Sequence, residues 1–283
     1  MLTCPQCASL IPDTREKCLT CGYNAGPPNV RAANATDEVL ALEERYQNAL
    51  DSARTKGCLP MVEGLCNAIE KSSAVINVDA WFLDFFANNP TALYTNYEKA
   101  VDGNARKPAT FENDTARRVA GSTLFGEYAG EIIYGALSLT GLGPHSYGPC
   151  AMTLKEIAIS QRTTVLENNS YDFVRKHKLL LGKKRPAGYF ATWPNRGKLA
   201  VAKLEPYITA QTTDAELHQL LLSTAGNRAT DEFLEVHIYG TFDLAAIESV
   251  RVNSKAASRE DRTHLRMAKA HLKRAGISWI DHD

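Results

Sequence analysis

The 283-residue chain has no run approaching 18 apolar residues, which excludes a membrane-spanning helix on sequence grounds. Its first residues, Met1-Leu2-Thr3-Cys4, lack the basic segment and apolar stretch of a secretory leader, so a cytoplasmic location is expected. Net charge is also missing: 32 Lys and Arg offset 32 Asp and Glu. That excludes a general basic coat for nucleic acid but leaves room for local patches. No glycine loop ending in Gly-Lys-Ser or Gly-Lys-Thr is present. Leu139-Thr140-Gly141-Leu142-Gly143-Pro144 has two glycines but is not followed by a helix pattern. P-loop and Rossmann nucleotide folds are therefore not expected. The signatures of zinc peptidases, serine hydrolases and kinases are absent too, as are internal repeats and low-complexity tracts. What is present is an ordinary globular composition, 44% apolar and 23% charged, in a chain long enough to bury a core without covalent staples.

Cysteine is the abnormal component. The seven cysteines are an odd number for disulfide pairing, and four lie within the first 21 residues as Cys4-Pro5-Gln6-Cys7 and Cys18-Leu19-Thr20-Cys21. Two such pairs across a short loop have the spacing of a zinc ribbon, in which two tight knuckles complete a tetrahedral site of four sulfurs. Gly22 suits the positive φ that a knuckle often needs. With only Leu2, Leu10 and Ile11 as apolar side chains nearby, the segment has to be folded by its metal. Cys58, Cys66 and Cys150 are isolated and read as small interior residues.

The chain divides on paper into a ribbon (1–24), a helical segment (36–115) and an α+β domain of catalytic size (120–283). The breaker cluster 24–29, rich in Asn, Gly and Pro, reads as a linker. Periodicity predicts helices over 37–55, with Thr36 or Asp37 as cap, and over 59–71, 78–88, 214–223 and 257–275. Strands are predicted over 131–139, 150–155, 188–193, 198–204, 234–242 and 249–252.

The stretch with most chemical content is Asp231-Glu232-Phe233-Leu234-Glu235-Val236-His237-Ile238-Tyr239-Gly240. From Leu234 the alternation sets Glu235, His237 and Tyr239 on one face of a strand and Leu234, Val236 and Ile238 on the other. Such a face can line a cleft, and an edge strand with one solvated face gives the same pattern. Further motifs precede it: Tyr134-Gly135-Ala136-Leu137-Ser138, then Tyr147-Gly148, Arg162-Thr163-Thr164 and Asn169-Ser170. In this order, and followed after Glu235 by Leu244 to Val250, they resemble bacterial proteins of the ADP-ribosyltransferase fold, over about residues 130–252.

The resemblance implies a split β-sheet domain that uses NAD as substrate. Glu235 would be the catalytic carboxylate, with Glu232 as its alternative or as an orienting group. Tyr134, Tyr147, Ser170 and His237 would lie around the dinucleotide. Glu131-Ile132-Ile133 stands where the family pattern has a basic residue, which leaves His145 and Arg162 as alternative donors to NAD. The resemblance further implies a toxin of a phage-defence or toxin–antitoxin module, restrained by an antitoxin or other inhibitory protein.

Two basic regions bear on the acceptor. Arg175-Lys176-His177-Lys178 and Lys183-Lys184-Arg185 precede Tyr189, Phe190 and Trp193, an interleaving of charge and rings that suits single-stranded nucleic acid. Arg259, Arg262, Arg266, Lys269 and Lys273 recur at three- and four-residue steps and predict one basic helical stripe. The expected acceptor is nucleic acid, RNA before DNA, with a protein acceptor or a purely nucleic-acid-binding zinc-ribbon module as the alternatives.

Overall fold

The computed structural model describes residues 2–103, 111–224, 228, 230–253 and 257–282. Strands β1 (Leu2–Thr3) and β2 (Leu10–Ile11) form the ribbon's first hairpin. There follow α1 (Pro28–Ala33), α2 (Thr36–Lys56), α3 (Leu59–Glu70), β3 (Ser73–Val78), α4 (Ala80–Asn88), α5 (Tyr97–Asp102) and α6 (Phe111–Phe125). The second half runs β4 (Ile132–Ser138), β5 (Cys150–Leu154), α7 (Glu156–Ile159), β6 (Thr163–Leu166), α8 (Ser170–Lys176), β7 (Phe190–Thr192) and α9 (Arg196–Leu204). It ends with α10 (Asp214–Leu221), β8 (Leu222–Ser223), β9 (Glu232–Phe233), β10 (Glu235–Tyr239), β11 (Ile247–Val252), α11 (Arg259–Arg274) and β12 (Ser278–Asp281).

The result is an α+β fold built on one mixed eight-stranded sheet, in the order β12-β11-β5-β3-β4-β10-β6-β7. Every pairing is antiparallel except β11 with β12, which α11 connects as a crossover. Helices α2, α3 and α9 pack together over the β6–β7 end, while α4 and α11 pack on each other. No helix among the described residues is long and apolar enough to cross a membrane.

Three expectations are corrected. Strand β3 was not anticipated, and its last residue was assigned to the following helix. It is buried from Ala74 to Val78, so Ala-Val-Ile-Asn-Val shows no alternation to read. It also sits between β5 and β4 in the sheet, so segment 36–115 is not purely helical. Residues 198–204, expected as a strand, are helical: Leu199, Ala200, Val201 and Leu204 bury one side of α9 against α2 and α3. The cluster 24–29 is not a free linker either, because Pro28 opens α1 and Asn29 is buried.

The two faces of β10 separate two cores. Val236 and Ile238 join the large core shared with α2, α3, α4, α9 and α11. Glu235, His237 and Tyr239 face the other side, where Phe125, Ile132, Phe173 and Phe190 form a smaller core. The alternation read from sequence therefore holds, but β10 is central, between β4 and β6, and not a solvated edge.

Candidate functional site

Strand β3 pairs with β4 only over Ser73–Val75, then leaves it and pairs with β5 from Val75 to Val78. The sheet thus splits at Val75. Beyond that point a cleft of about 330 Å³ opens, lined by Ile76 and Asn77 on one side and Ile133, Tyr134 and Gly135 on the other. This is within the size range of small-molecule sites. Gly135 is required at the point of divergence, since a Cβ there would stand 2.8 Å from the Val75 carbonyl oxygen.

Glu235 opens β10 and lines the cleft, 7% exposed. Its Oε2 accepts from the Ser170 amide at 2.7 Å, from the Ser170 hydroxyl, and from His237 Nε2 at 3.0 Å. Ser170 is the first residue of α8, where amides have no intrahelical acceptor and are free to donate outward. Asn169 caps that helix, accepting from the Asp172 amide at 2.9 Å, and its side-chain amide reaches the Asp231 carbonyl at 3.4 Å. His237 is fully buried among the rings of Phe125, Tyr134 and Phe190. Its Nε2 donates to the carboxylate, and its buried Nδ1 has no partner among the described residues. One carboxylate oxygen is thereby fixed by three donors, while Oε1 has no protein partner among the described residues.

Two tyrosines complete the floor. Burial, reinforced by the Glu235 charge, holds the Tyr134 hydroxyl well above the usual phenol range and pushes Tyr147 up to about 12. Both are neutral at physiological pH and can donate. Tyr147 sits edge-on to Phe233 with ring centres 6.0 Å apart. The Arg228 guanidinium lies 4.9 Å over the Tyr147 ring, and its Nε donates to the Ser146 carbonyl at 2.9 Å. Arg117, from α6, lies 4.1 Å over the Tyr97 ring, and both arginines line the cleft.

The structure therefore brings together Glu235, Tyr134, Tyr147, Ser170 and His237. It does not bring in the other three candidates. Glu232 is exposed on β9 opposite Ser223, and it is the adjacent Phe233 that faces the cleft. His145 is exposed in the turn before β5, with its ring 6.1 Å from that of His282. Arg162 ties down the far end of β10, donating to the carbonyls of Ala158, Tyr239 and Thr241. Asn77, Arg117 and Arg228 were missed, because each is a lone polar residue in a segment with no motif around it.

The N-terminal cluster fits its metal. All four sulfurs of Cys4, Cys7, Cys18 and Cys21 lie within 4.8 Å of one another, with Cys4–Cys21 at 3.5 Å and Cys7–Cys18 at 3.6 Å. A tetrahedron with metal–sulfur bonds of about 2.3 Å has edges of about 3.8 Å. None of the seven cysteines is in a disulfide. The knuckles repeat one hydrogen-bond pattern: Cys4 N to Ser9 O and Ala8 N to Cys4 O, then Cys18 N to Tyr23 O and Gly22 N to Cys18 O. Positive φ falls at the equivalent residues Ala8 (59°) and Gly22 (75°).

The ribbon is fastened to the sheet. Arg31 of α1 donates to the carbonyls of Pro12, Asp13, Arg15 and Gly26. Two residues earlier, the Asn29 side-chain amide donates to the carbonyls of Arg162 at 3.1 Å and His237 at 3.2 Å.

Of the basic regions, the first is not a stacking track. Phe190 and Trp193 are buried, and Lys184 and Arg185 are paired with Asp37 and Glu38 of α2. On α11, by contrast, Arg259, Arg262, Arg266 and Lys273 are exposed, and Lys269 pairs with Asp281. The chain matches no known protein family and no curated protein.

Proposed function

We propose that this chain is an NAD-dependent ADP-ribosyltransferase acting as a cytoplasmic toxin in phage defence or a toxin–antitoxin module. The observation that carries the reading is Glu235: a carboxylate at the start of a central strand, one oxygen held by three donors and the other without a partner among the described residues, within a cleft. The divergence of β3 and β4 also suits the split sheet of the ADP-ribosyltransferase fold.

The chemistry asks for such a carboxylate. Cleavage breaks the bond between ribose C1′ and the nicotinamide nitrogen, and the bonding pair leaves with the ring, which becomes neutral. Positive charge grows on the ribose, where the Glu235 carboxylate stabilises it or accepts a hydrogen bond from a ribose hydroxyl. The acceptor's nucleophilic atom then bonds C1′ and gives up its proton. Ser170 and His237 act as positioning residues, and Tyr134 and Tyr147 offer neutral donors and ring faces. The four cysteines would hold a structural zinc.

The acceptor we favour is nucleic acid, RNA before DNA. Helix α11 exposes its arginines, and α4, packed against it, exposes Trp81 stacked on Phe85 with ring centres 5.9 Å apart. Arginine beside a stacking ring is a recurrent way to hold single strands. An antitoxin or other inhibitory protein would keep the activity silent.

The test is incubation of the protein with NAD labelled in its ADP-ribose part, together with RNA, DNA and cell extract, beside Glu235→Gln. Label should enter a nuclease-sensitive product and be lost in the variant. Protease-sensitive product would move the acceptor to protein. Absence of transfer with every acceptor would remove the enzymatic reading and leave a zinc-ribbon binding module.

A further inference from the structure

We infer that Arg117 and Arg228 form a clamp for the diphosphate of a dinucleotide. The inference rests on the NAD-dependent reading above and names the groups that replace a basic residue on the sheet. Strand β4 carries none: it reads Ile132-Ile133-Tyr134-Gly135-Ala136-Leu137-Ser138.

Several cations of this protein are spent on carboxylates. Arg45 pairs with Glu167, Arg185 with Glu38, Lys56 with Glu205 and Lys198 with Glu43. Arg117 and Arg228 differ. Each lines the cleft, and among the described residues neither has a carboxylate within 4.0 Å. Each instead sits over a tyrosine ring, Arg117 over Tyr97 at 4.1 Å and Arg228 over Tyr147 at 4.9 Å. A ring beneath a guanidinium restrains it by a cation–π contact without using its N–H donors, which favours bidentate phosphate binding. Among the described residues Arg228 commits only Nε, to the Ser146 carbonyl, and its two terminal nitrogens have no partner there.

The two arginines also come from outside the sheet, one from α6 and one from the segment ahead of β9, so they can face the cleft together with β10. The charges of both arginines act on the Tyr147 hydroxyl, and that of Arg117 on the Tyr134 hydroxyl as well. Among the described residues the cleft then offers two cations without a carboxylate partner and one carboxylate, Glu235. A dinucleotide with a cationic nicotinamide and an anionic diphosphate carries the matching charges on one molecule. A simple anion would not use Glu235, and a simple cation would not use the arginines.

The experiment is calorimetric titration of the zinc-loaded full chain and of Arg117→Ala, Arg228→Ala and the double variant. The ligands are ADP-ribose and nicotinamide riboside, which lacks the diphosphate. Each single substitution should weaken ADP-ribose by about 10- to 100-fold and leave nicotinamide riboside within about twofold, with Arg→Lys recovering part of the loss. Unchanged ADP-ribose affinity in the double variant would overturn the clamp while leaving the NAD reading intact. Equal weakening of both ligands would also overturn it, as a general distortion of the cleft. Failure of the wild-type chain to bind either ADP-ribose or NAD would overturn the underlying reading, and the clamp with it.

Discussion

Ser170 offers the sharpest test of how Glu235 is held. Its hydroxyl bonds both Glu235 Oε2 and His237 Nε2, while its amide supplies a further donor that no side-chain change removes. Ser170→Ala therefore deletes one of three donors on Oε2 and leaves the amide at 2.7 Å and His237 at 3.0 Å. A hydrogen bond to a charged group contributes about 1.5–3 kcal/mol. Part of that is recovered here because the cleft admits water, so a stability loss of about 1–2 kcal/mol is expected. For a chain of this size each kcal/mol lowers the melting point by about 2–4 °C. The larger effect should be kinetic. The terminal torsion of a glutamate is broad, and with two anchors in place of three its free oxygen wanders from the ribose. A fall of about 10- to 100-fold in kcat is expected, with KM for NAD nearly unchanged and Ser170→Thr recovering most of the rate. The assay is steady-state release of nicotinamide alongside a thermal melt. Full kcat in a folded Ser170→Ala protein would refute the positioning argument, as would a loss carried entirely by KM.

Three further outcomes follow from the geometry. The purified chain should contain one equivalent of zinc by elemental analysis, and Cys18→Ser should release it and unfold residues 1–24, seen as loss of amide-exchange protection across both knuckles. Gly135→Ala puts a Cβ 2.8 Å from the Val75 carbonyl oxygen, so it should cost more than about 3 kcal/mol in urea unfolding or abolish dinucleotide binding. Lys203 on α9 is pushed down from 10.5 to about 8 by burial, against the opposing pull of Glu232 and Glu167. Below pH 8 it is charged in both states and its burial cost is fully present. Between about 8 and 10.5 the unfolded chain holds more protons, so stability rises with pH. Lys203→Met should therefore stabilise by up to about 3 kcal/mol at pH 7 and lose that advantage towards pH 10.5 in urea titrations.

The parts of the molecule that were legible are those whose physics is local. The cysteine spacing predicts the four-sulfur cluster because a knuckle is made within four residues. The face shared by Glu235, His237 and Tyr239 was legible because alternation is a property of one strand. Strand β3 is not, since burial on both faces removes the alternation, and α9 reads as a strand because seven residues, five of them apolar, have no decisive period. Phe190 and Trp193 illustrate the converse error. Basic and aromatic residues adjacent in sequence suggested a surface track, but Lys184 and Arg185 turn to the acids of α2 while the rings turn into the core. The cleft itself needs β3, β4, β10, α6, α8 and the residues before β9 at once, and none of these announces the others.

The place of the ribbon was the least legible feature, and it changes what the four-cysteine cluster is for. A run of Asn, Gly and Pro has the composition of a loose tether, yet Asn29 is 2% exposed and its amide is shared among acceptors at Arg162 just before β6, on Thr164 of β6 and on His237 of β10. Its Oδ1 is buried without a partner among the described residues. An orphaned buried acceptor costs about 1–3 kcal/mol, which a free tether would avoid by turning outward. The residue stays because α1 is held from the other side, where Arg31 collects four carbonyls of the ribbon and of the turn after it. The acceptor on β10 is the backbone of His237, whose ring bonds Glu235. The four-cysteine ribbon and the carboxylate are thus linked through α1, by the Arg31 hydrogen bonds on one side and those of Asn29 and His237 on the other. Removing the zinc should therefore loosen β10 as well as the ribbon, and amide exchange at His237 and Ile238 should quicken on chelation while β11, at the far side of the sheet, keeps its protection. Unchanged exchange along β10 in the metal-free chain would show that the ribbon is mechanically independent of the strand it touches.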